Sequence, residues 1–358
     1  MNAGEVPLIL QAIEQFTPAS DEKKAALSHF KPGSSLISRG EDRATRRQLN
    51  EKVLETGSPA HSHADRFRNI IAEEVDGLIA RAAKQEELDW LVFFEGWLCI
   101  VRRVVFGNAA RDDHALTDMI EDLRSRANWA FAIPINRAKR TRFHEALDAN
   151  LKTAAPGSLG SLVMAQNPSF QDAPTHQIAQ WLFAFDPAGM TTFRSLALLA
   201  SAPQIHDRCL QEAQTINADH PLLRACFLET LRLFPTTPAI LRQTTSDVAL
   251  RSGHLAKGSG AVIYAPFFHR ARWTSSADQF DPDFWIGRDP EEAMPAAPFS
   301  GGPGVCPAKN LVPLLGAETL AALLRNGRIQ ILQPTWLGNA GKLRGTLNHF
   351  DMRFKLEP

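Results

Sequence analysis

The stretch from Thr175 to Ala200, THQIAQWLFAFDPAGMTTFRSLALLA, is apolar nearly all round, with Asp186 and Pro187 at its middle. A helix without a polar face cannot lie on the surface of a folded body in water; it has to cross the core. The remaining chain must then supply the elements that wrap it, and 358 residues at 44% hydrophobic content are ample for that. An interior proline removes one main-chain hydrogen bond and collides with the carbonyl four residues back. The sequence therefore predicts a kink or widened turn near Phe183 to Pro187.

Up to about Phe234 the surrounding pattern is also helical. GEDRATRRQLNEKVLETG opens with acids and closes on Gly57, the order that a helix dipole and a C-cap favour. HADRFRNIIAEEVDGLIARAAKQ, LDWLVFFEGWLCIVRRVVFG and ALTDMIEDLRSRANWAF repeat apolar residues at helical spacing. Beyond HPLLRACFLETLRLFP the texture changes. TTPAILRQTTSDVAL and AVIYAPFF read as short strands, and a proline- and acid-rich coil runs from His269 to Pro298. No repeat or long linker divides the chain, so residues 1–358 read as one mainly α domain with a small β region.

Lys+Arg 39 against Asp+Glu 39 leaves no net charge, which gives no global argument for nucleic acid or an anionic membrane as partner. Cys99, Cys209, Cys226 and Cys306 are scattered, without a CxxC or Cys/His cluster, against a disulfide framework or a tetrahedral zinc site. The start lacks a signal-peptide pattern and no stretch reaches the length of a membrane span, so the expectation is a soluble, cytoplasmic protein without a membrane anchor.

The chemistry concentrates in FSGGPGVCPAKNL, Phe299 to Leu311. Taken alone, Cys306 reads as a small buried hydrophobe or as a ligand on a shaped glycine loop. AKNLVPLLGAETLAALL behind it reads as a helix, whose positive end favours a thiolate.

With its phenylalanine, glycine and cysteine at the spacing of Phe299, Gly302 and Cys306, this loop resembles the cysteine-ligand signature of the cytochrome P-450 haem-thiolate family. Glu229 and Arg232 in ETLR resemble that family's Glu-x-x-Arg pair, which is buried and ties its helix to the coil before the cysteine. The apolar segment resembles the family's long distal helix. There AGMTT sets Thr192 at the alcohol position and Thr191 where an acid is customary. Asp186 is the alternative acid, although six helical residues rotate it roughly 120° from Thr192. Arg43, Arg47 and Arg242 match contacts to haem propionates, a role that suits the planar guanidinium fork. Gly304 replaces the usual basic propionate partner before the cysteine, and Ala308 a common glycine after it. Phe284 stands where an arginine or histidine often completes a triad with Glu229 and Arg232; His269, Arg270 and Arg288 are candidates to replace it.

The resemblance implies the cytochrome P-450 fold with a shortened N-terminus, lacking the first helix and the opening strands of the small sheet. It implies one haem b with Cys306 as the iron ligand, and monooxygenation: insertion of one oxygen atom of O2 into a small-to-medium lipophilic or aromatic substrate. Electrons would come from a separate ferredoxin- or flavodoxin-type partner. By family position, Phe185, Ala188, Thr237, Ala239, Ile240 and Leu347 are the substrate contacts. Thr191 in place of an acid motivates a second possibility, a peroxygenase, dehydratase or isomerase that does not activate O2. The short N-terminus motivates a third, a non-catalytic haem-binding protein. Pro307 offers no N–H to the sulfur, which leaves Ala308 and Lys309 as local donors.

Overall fold

The computed structural model describes residues 4–216, 219–271, 277–293, 298–339 and 343–357. Its helices are α1 (Glu5–Gln11), α2 (Asp21–Leu27), α3 (Gly40–Val53), α4 (Ala64–Gln85), α5 (Trp90–Phe106), α6 (His114–Ala127), α7 (Arg137–Lys152), α8 (Leu159–Ala165), α9 (Pro174–Ala200), α10 (Pro203–Ala213), α11 (Pro221–Leu233), α12 (Ala265–His269) and α13 (Leu311–Arg325). The strands are β1 (Phe16–Thr17), β2 (Leu88–Asp89), β3 (Ala239–Thr244), β4 (Val248–Leu250), β5 (Gly253–Leu255), β6 (Gly260–Tyr264), β7 (Arg328–Gln333) and β8 (Arg353–Glu357).

Side-chain caps set several helix starts: Ser20, Asp89, Asp113, Asn136 and Ser158 each accept the backbone N–H three residues on. The apolar segment is helical throughout as α9 and packs against α5, α11 and α13. Pro187 lies inside it, and nearby the indole Nε1 of Trp97 donates to Phe185 O at 2.9 Å. Gly189 permits that approach, since a Cβ there would stand 2.7 Å from the Trp97 ring.

One expectation changes. Helix α3 ends at Val53, short of Gly57, because Glu55 turns the chain with φ 49° and Thr56 is drawn toward the cysteine loop. The small sheet also holds a short strand that the sequence did not reveal. β1 pairs antiparallel with β3, Phe16 opposite Thr244, in a sheet of order β1-β3-β6. A two-residue strand is too short to leave an alternating pattern in the sequence. Val6, Ile9 and Leu10 of α1 join Phe16, Ala261 and Ile263 in a second apolar cluster beneath this sheet. The other sheets are β2-β8-β7 and β4-β5. Among the described residues no helix is long and apolar enough to cross a membrane.

Candidate active site

The cysteine loop is shaped from both ends. Cys306 N–H donates to Phe299 O at 2.9 Å, closing the loop on its own start. Gly302 has φ +60°, and a Cβ on it would meet Leu10 O of α1 at 2.7 Å, so glycine is required on two counts. Three alternate carbonyls are then held from outside: Pro303 O by Arg43 Nη2 at 2.7 Å, Val305 O by Arg47 Nη1 at 2.5 Å, and Pro307 O by Thr56 Oγ1 at 2.6 Å. Asn310 Nδ2 returns the grip on the carbonyls of Thr56 and Ser58.

Cys306 is half-buried, with protein packed closely around its thiol. Burial pushes its pKa up, while the Ala308 N–H and the Arg47 charge pull it down. Of the two local donors, Ala308 serves the sulfur and Lys309 N–H bonds the Cys306 carbonyl at 3.2 Å.

Beside the loop lies a group of cations without carboxylate partners among the described residues. Arg242 is 4% exposed and donates to Leu241 O and, at 3.1 Å, to Ser300 Oγ. Its pKa is pushed down to about 10 by burial and the charge of Arg43. Gly304 makes room for it, since a Cβ there would stand 3.0 Å from Arg242 Nη2. The loop's missing basic residue is thus replaced in space by a guanidinium from β3. Among the described residues the buried Nε atoms of Arg43 and Arg242 have no hydrogen-bond partner. Such orphaned donors fit a ligand with two carboxylates, as a haem has. Lys23, which sequence reasoning missed, belongs to the same group: burial and Arg242 push its pKa down to about 8.

The Glu229–Arg232 pair is fully buried and fully answered. Arg232 donates to both Glu229 oxygens, at 2.7 and 2.6 Å, and to the carbonyls of His269, Ala277 and Gln279. Glu229 also accepts Asp281 N–H at 3.0 Å and Trp285 Nε1 at 2.8 Å. The third donor is therefore the neutral indole of Trp285 and not one of the three candidate cations. Arg270 reaches Leu233 O, Arg288 stacks on the Phe284 ring, and His269 Nδ1 lies 3.1 Å from Arg232 O. A buried tryptophan in FDPDFW was the available signal, because a buried indole N–H seeks an acceptor.

The phase of α9 sets where the expected contact residues lie. Gln180, Phe183, Ala184 and Pro187 recur at helical spacing on its less buried side, whereas Phe185 and Ala188, 2% and 3% exposed, turn into the core. Thr192 is fully buried; its hydroxyl donates to Ala188 O at 2.9 Å and lies 3.2 Å from where a Cβ on Gly316 of α13 would sit. Thr191 Oγ1 likewise donates to Pro187 O. A helix apolar all round carries no phase to read, so the AGMTT match could not reveal this rotation. Asp186 faces the other way, paired with Arg124 of α6 in a cleft lined also by Thr117, Glu121 and Leu182. Burial pushes its pKa up to about 6 despite the pairing. Ala239 and Ile240, neighbours on β3, point to opposite faces; Ile240 packs toward the second apolar cluster. Thr237 is exposed and Leu347 is buried, its carbonyl held by Arg194 Nε at 2.9 Å.

Residues 171–334 match the family model of cytochrome P450. A probable cytochrome P450 313a1 of Drosophila melanogaster is 30% identical over 164 residues, 40% of this chain and 33% of the relative. A probable mitochondrial cytochrome P450 12d1 (proximal) of the same fly is 32% identical over 120 residues, 31% of this chain and 23% of the relative. The match thus spans about a third or less of the length of these curated relatives. Among solved structures, a cytochrome P450 named CYP102L1 superposes with TM-score 0.78 at 16% identity over 98% of this chain and 87% of its own. The retinoic acid-bound cyanobacterial CYP120A1 does so with TM-score 0.76 at 17% identity, covering 99% and 88%. The chain has the cytochrome P450 fold, and the family resemblance of its motifs is borne out.

Proposed function

We propose that this chain is a haem-thiolate monooxygenase, with Cys306 as the protein ligand of the iron of a haem b and a lipophilic or aromatic molecule as substrate. The observation that carries the reading is the half-buried Cys306 on its shaped loop, set near Arg43 and the buried Arg242, whose Nε atoms have no hydrogen-bond partner among the described residues. A thiolate-ligated haem supplies the activation of O2 for insertion of one oxygen atom into a C–H bond. The chain's own residues do the rest. The Ala308 N–H and the Arg47 charge favour the anionic sulfur, while Arg43 and Arg242 receive carboxylates. Phe183, Ala184 and Pro187 of α9 offer an apolar wall, with Thr191 four residues beyond Pro187 along the same side. Asp186, paired with Arg124, lies away from this wall, and burial pushes its pKa up to about 6. Electrons come from a separate ferredoxin- or flavodoxin-type donor.

The test is the reduced, CO-bound absorption spectrum of the purified protein. A strongly red-shifted Soret band that is lost in Cys306→Ala is expected, and a histidine-type band overturns the reading.

A second reading, a haem-thiolate enzyme driven by peroxide, is favoured by one observation: both Thr191 and Thr192 spend their hydroxyl protons on their own helix. Turnover supported by hydrogen peroxide alone, and not by an electron donor with O2, would select it.

A further inference from the structure

Two carboxylates of a haem would answer Arg43 and Arg242. Two cations contributed by the segment just before α3, the buried Lys31 and the half-buried Lys23, would then remain. Lys31 is 0% exposed. Its Nζ donates to the neutral Gln180 Oε1 at 2.6 Å and lies 4.0 Å from the Phe183 ring centroid and 4.8 Å from that of Phe30. Lys23 Nζ has only Leu241 O, at 3.4 Å. Among the described residues neither lysine has a carboxylate within ion-pair distance. Both ammonium groups are held below their ordinary pKa, Lys31 by burial and then by the charge of Lys23.

The partners of Lys31 locate it. Gln180 and Phe183 belong to the less buried side of α9, the side that also carries Ala184 and Pro187. Lys31 therefore borders the wall assigned to the substrate, and Lys23, bonded to the main-chain carbonyl of Leu241 on β3, is near enough for its charge to act on Lys31. Packing alone does not explain Lys31. A methionine of similar length would fill the space between Phe30 and Phe183 without the cost of burying an uncompensated ammonium.

We propose that Lys31, assisted by Lys23, receives the carboxylate of an acidic lipophilic substrate. The substrate carboxylate takes over from Gln180 Oε1 as the acceptor of Lys31 Nζ, and the apolar body lies along Phe183, Ala184 and Pro187. The assignment rests on the oxygenase reading of the pocket and narrows its substrate class. Burial lowers the pKa of both lysines, that of Lys23 to about 8, and a bound anion raises it again, so binding is accompanied by proton uptake.

The test is calorimetric titration of the haem-loaded protein with dodecanoic acid and 4-phenylbutanoic acid, each against its methyl ester. Each acid is expected to bind at least tenfold more tightly than its ester. Lys31→Met is expected to erase that preference while ester affinity stays within twofold, and Lys23→Met to reduce it. In the unaltered protein, binding enthalpies in two buffers of different ionisation enthalpy are expected to reveal proton uptake at pH 8 with the acids and none with the esters. This second measurement needs no variant to fold. Equal affinity for acid and ester, no detectable binding of either acid, a preference that survives Lys31→Met, or no proton uptake each overturns the assignment. The CO-bound spectrum of the same preparation separates the two readings. A thiolate-type band with no acid preference removes only the carboxylate site, and an acid preference without that band removes only the oxygenase reading.

Discussion

Arg232 and Arg242 are both almost wholly buried, 2% and 4% exposed, and their circumstances are opposite. Arg232 has both oxygens of Glu229 and three main-chain carbonyls around it. Arg242 has a neighbouring carbonyl, a serine hydroxyl and an Nε without a partner among the described residues. A buried cation answered by its own chain belongs to the fold, since removing either partner strands the other. A buried cation left unanswered raises the energy of the protein by itself, and an anion from outside the chain lowers it. Satisfaction of buried polar groups thus separates what holds the molecule together from what it is built to hold.

The largest effect should come from breaking the answered pair. Glu229→Ala leaves the Arg232 guanidinium without its carboxylate and the Trp285 indole without an acceptor, at a cost of about 3–5 kcal/mol. Urea denaturation and yield of folded protein measure it, and a loss below about 1 kcal/mol would deny that the pair is structural. Arg242→Met probes the other side. The haem-free protein should be as stable as before or more so, while haem affinity falls by roughly ten- to hundredfold for one lost charged hydrogen bond of about 1.5–3 kcal/mol. Apo stability and haem transfer to apomyoglobin give the two numbers.

Acid should weaken the answered region through one of the buried histidines. His269, 1% exposed with Nδ1 at Arg232 O, has its pKa pushed down to about 4, chiefly by burial. The unfolded chain takes up a proton near pH 6.5 and the folded chain does not until about 4. Stability is therefore complete above that window and falls as pH drops through it, by roughly 1.4 kcal/mol per unit from this group. Urea midpoints between pH 7.5 and 4.5, compared with those of His269→Gln, isolate the slope. The smallest effect concerns the sulfur. Pro307→Ala adds an N–H next to Cys306 and should raise the iron reduction potential modestly; a redox titration showing no change or a fall would count against it.

The sequence made some of this readable because certain chemistry is local. Glu229 and Arg232 sit three apart on one helix, and Phe299, Gly302 and Cys306 share one loop, so spacing alone carries their relation. Trp285 reaches Glu229 across 56 positions and Arg242 reaches Ser300 across 58, and no local pattern encodes such meetings. The rotation of α9 was hidden for another reason: with apolar residues on every side, the AGMTT match fixed a position along the helix but not a direction around it. Strand parity was the one rule that could have separated Ala239 from Ile240 in advance.

The clasp on the cysteine loop has an evolutionary reading. Arg43, Arg47 and Thr56 hold carbonyl oxygens, which every residue possesses whatever its side chain. The positions they grip are consequently free to drift in identity so long as the backbone path persists. Pro303, Val305 and Pro307 are such positions, whereas Gly304 between them is kept small by the Arg242 guanidinium.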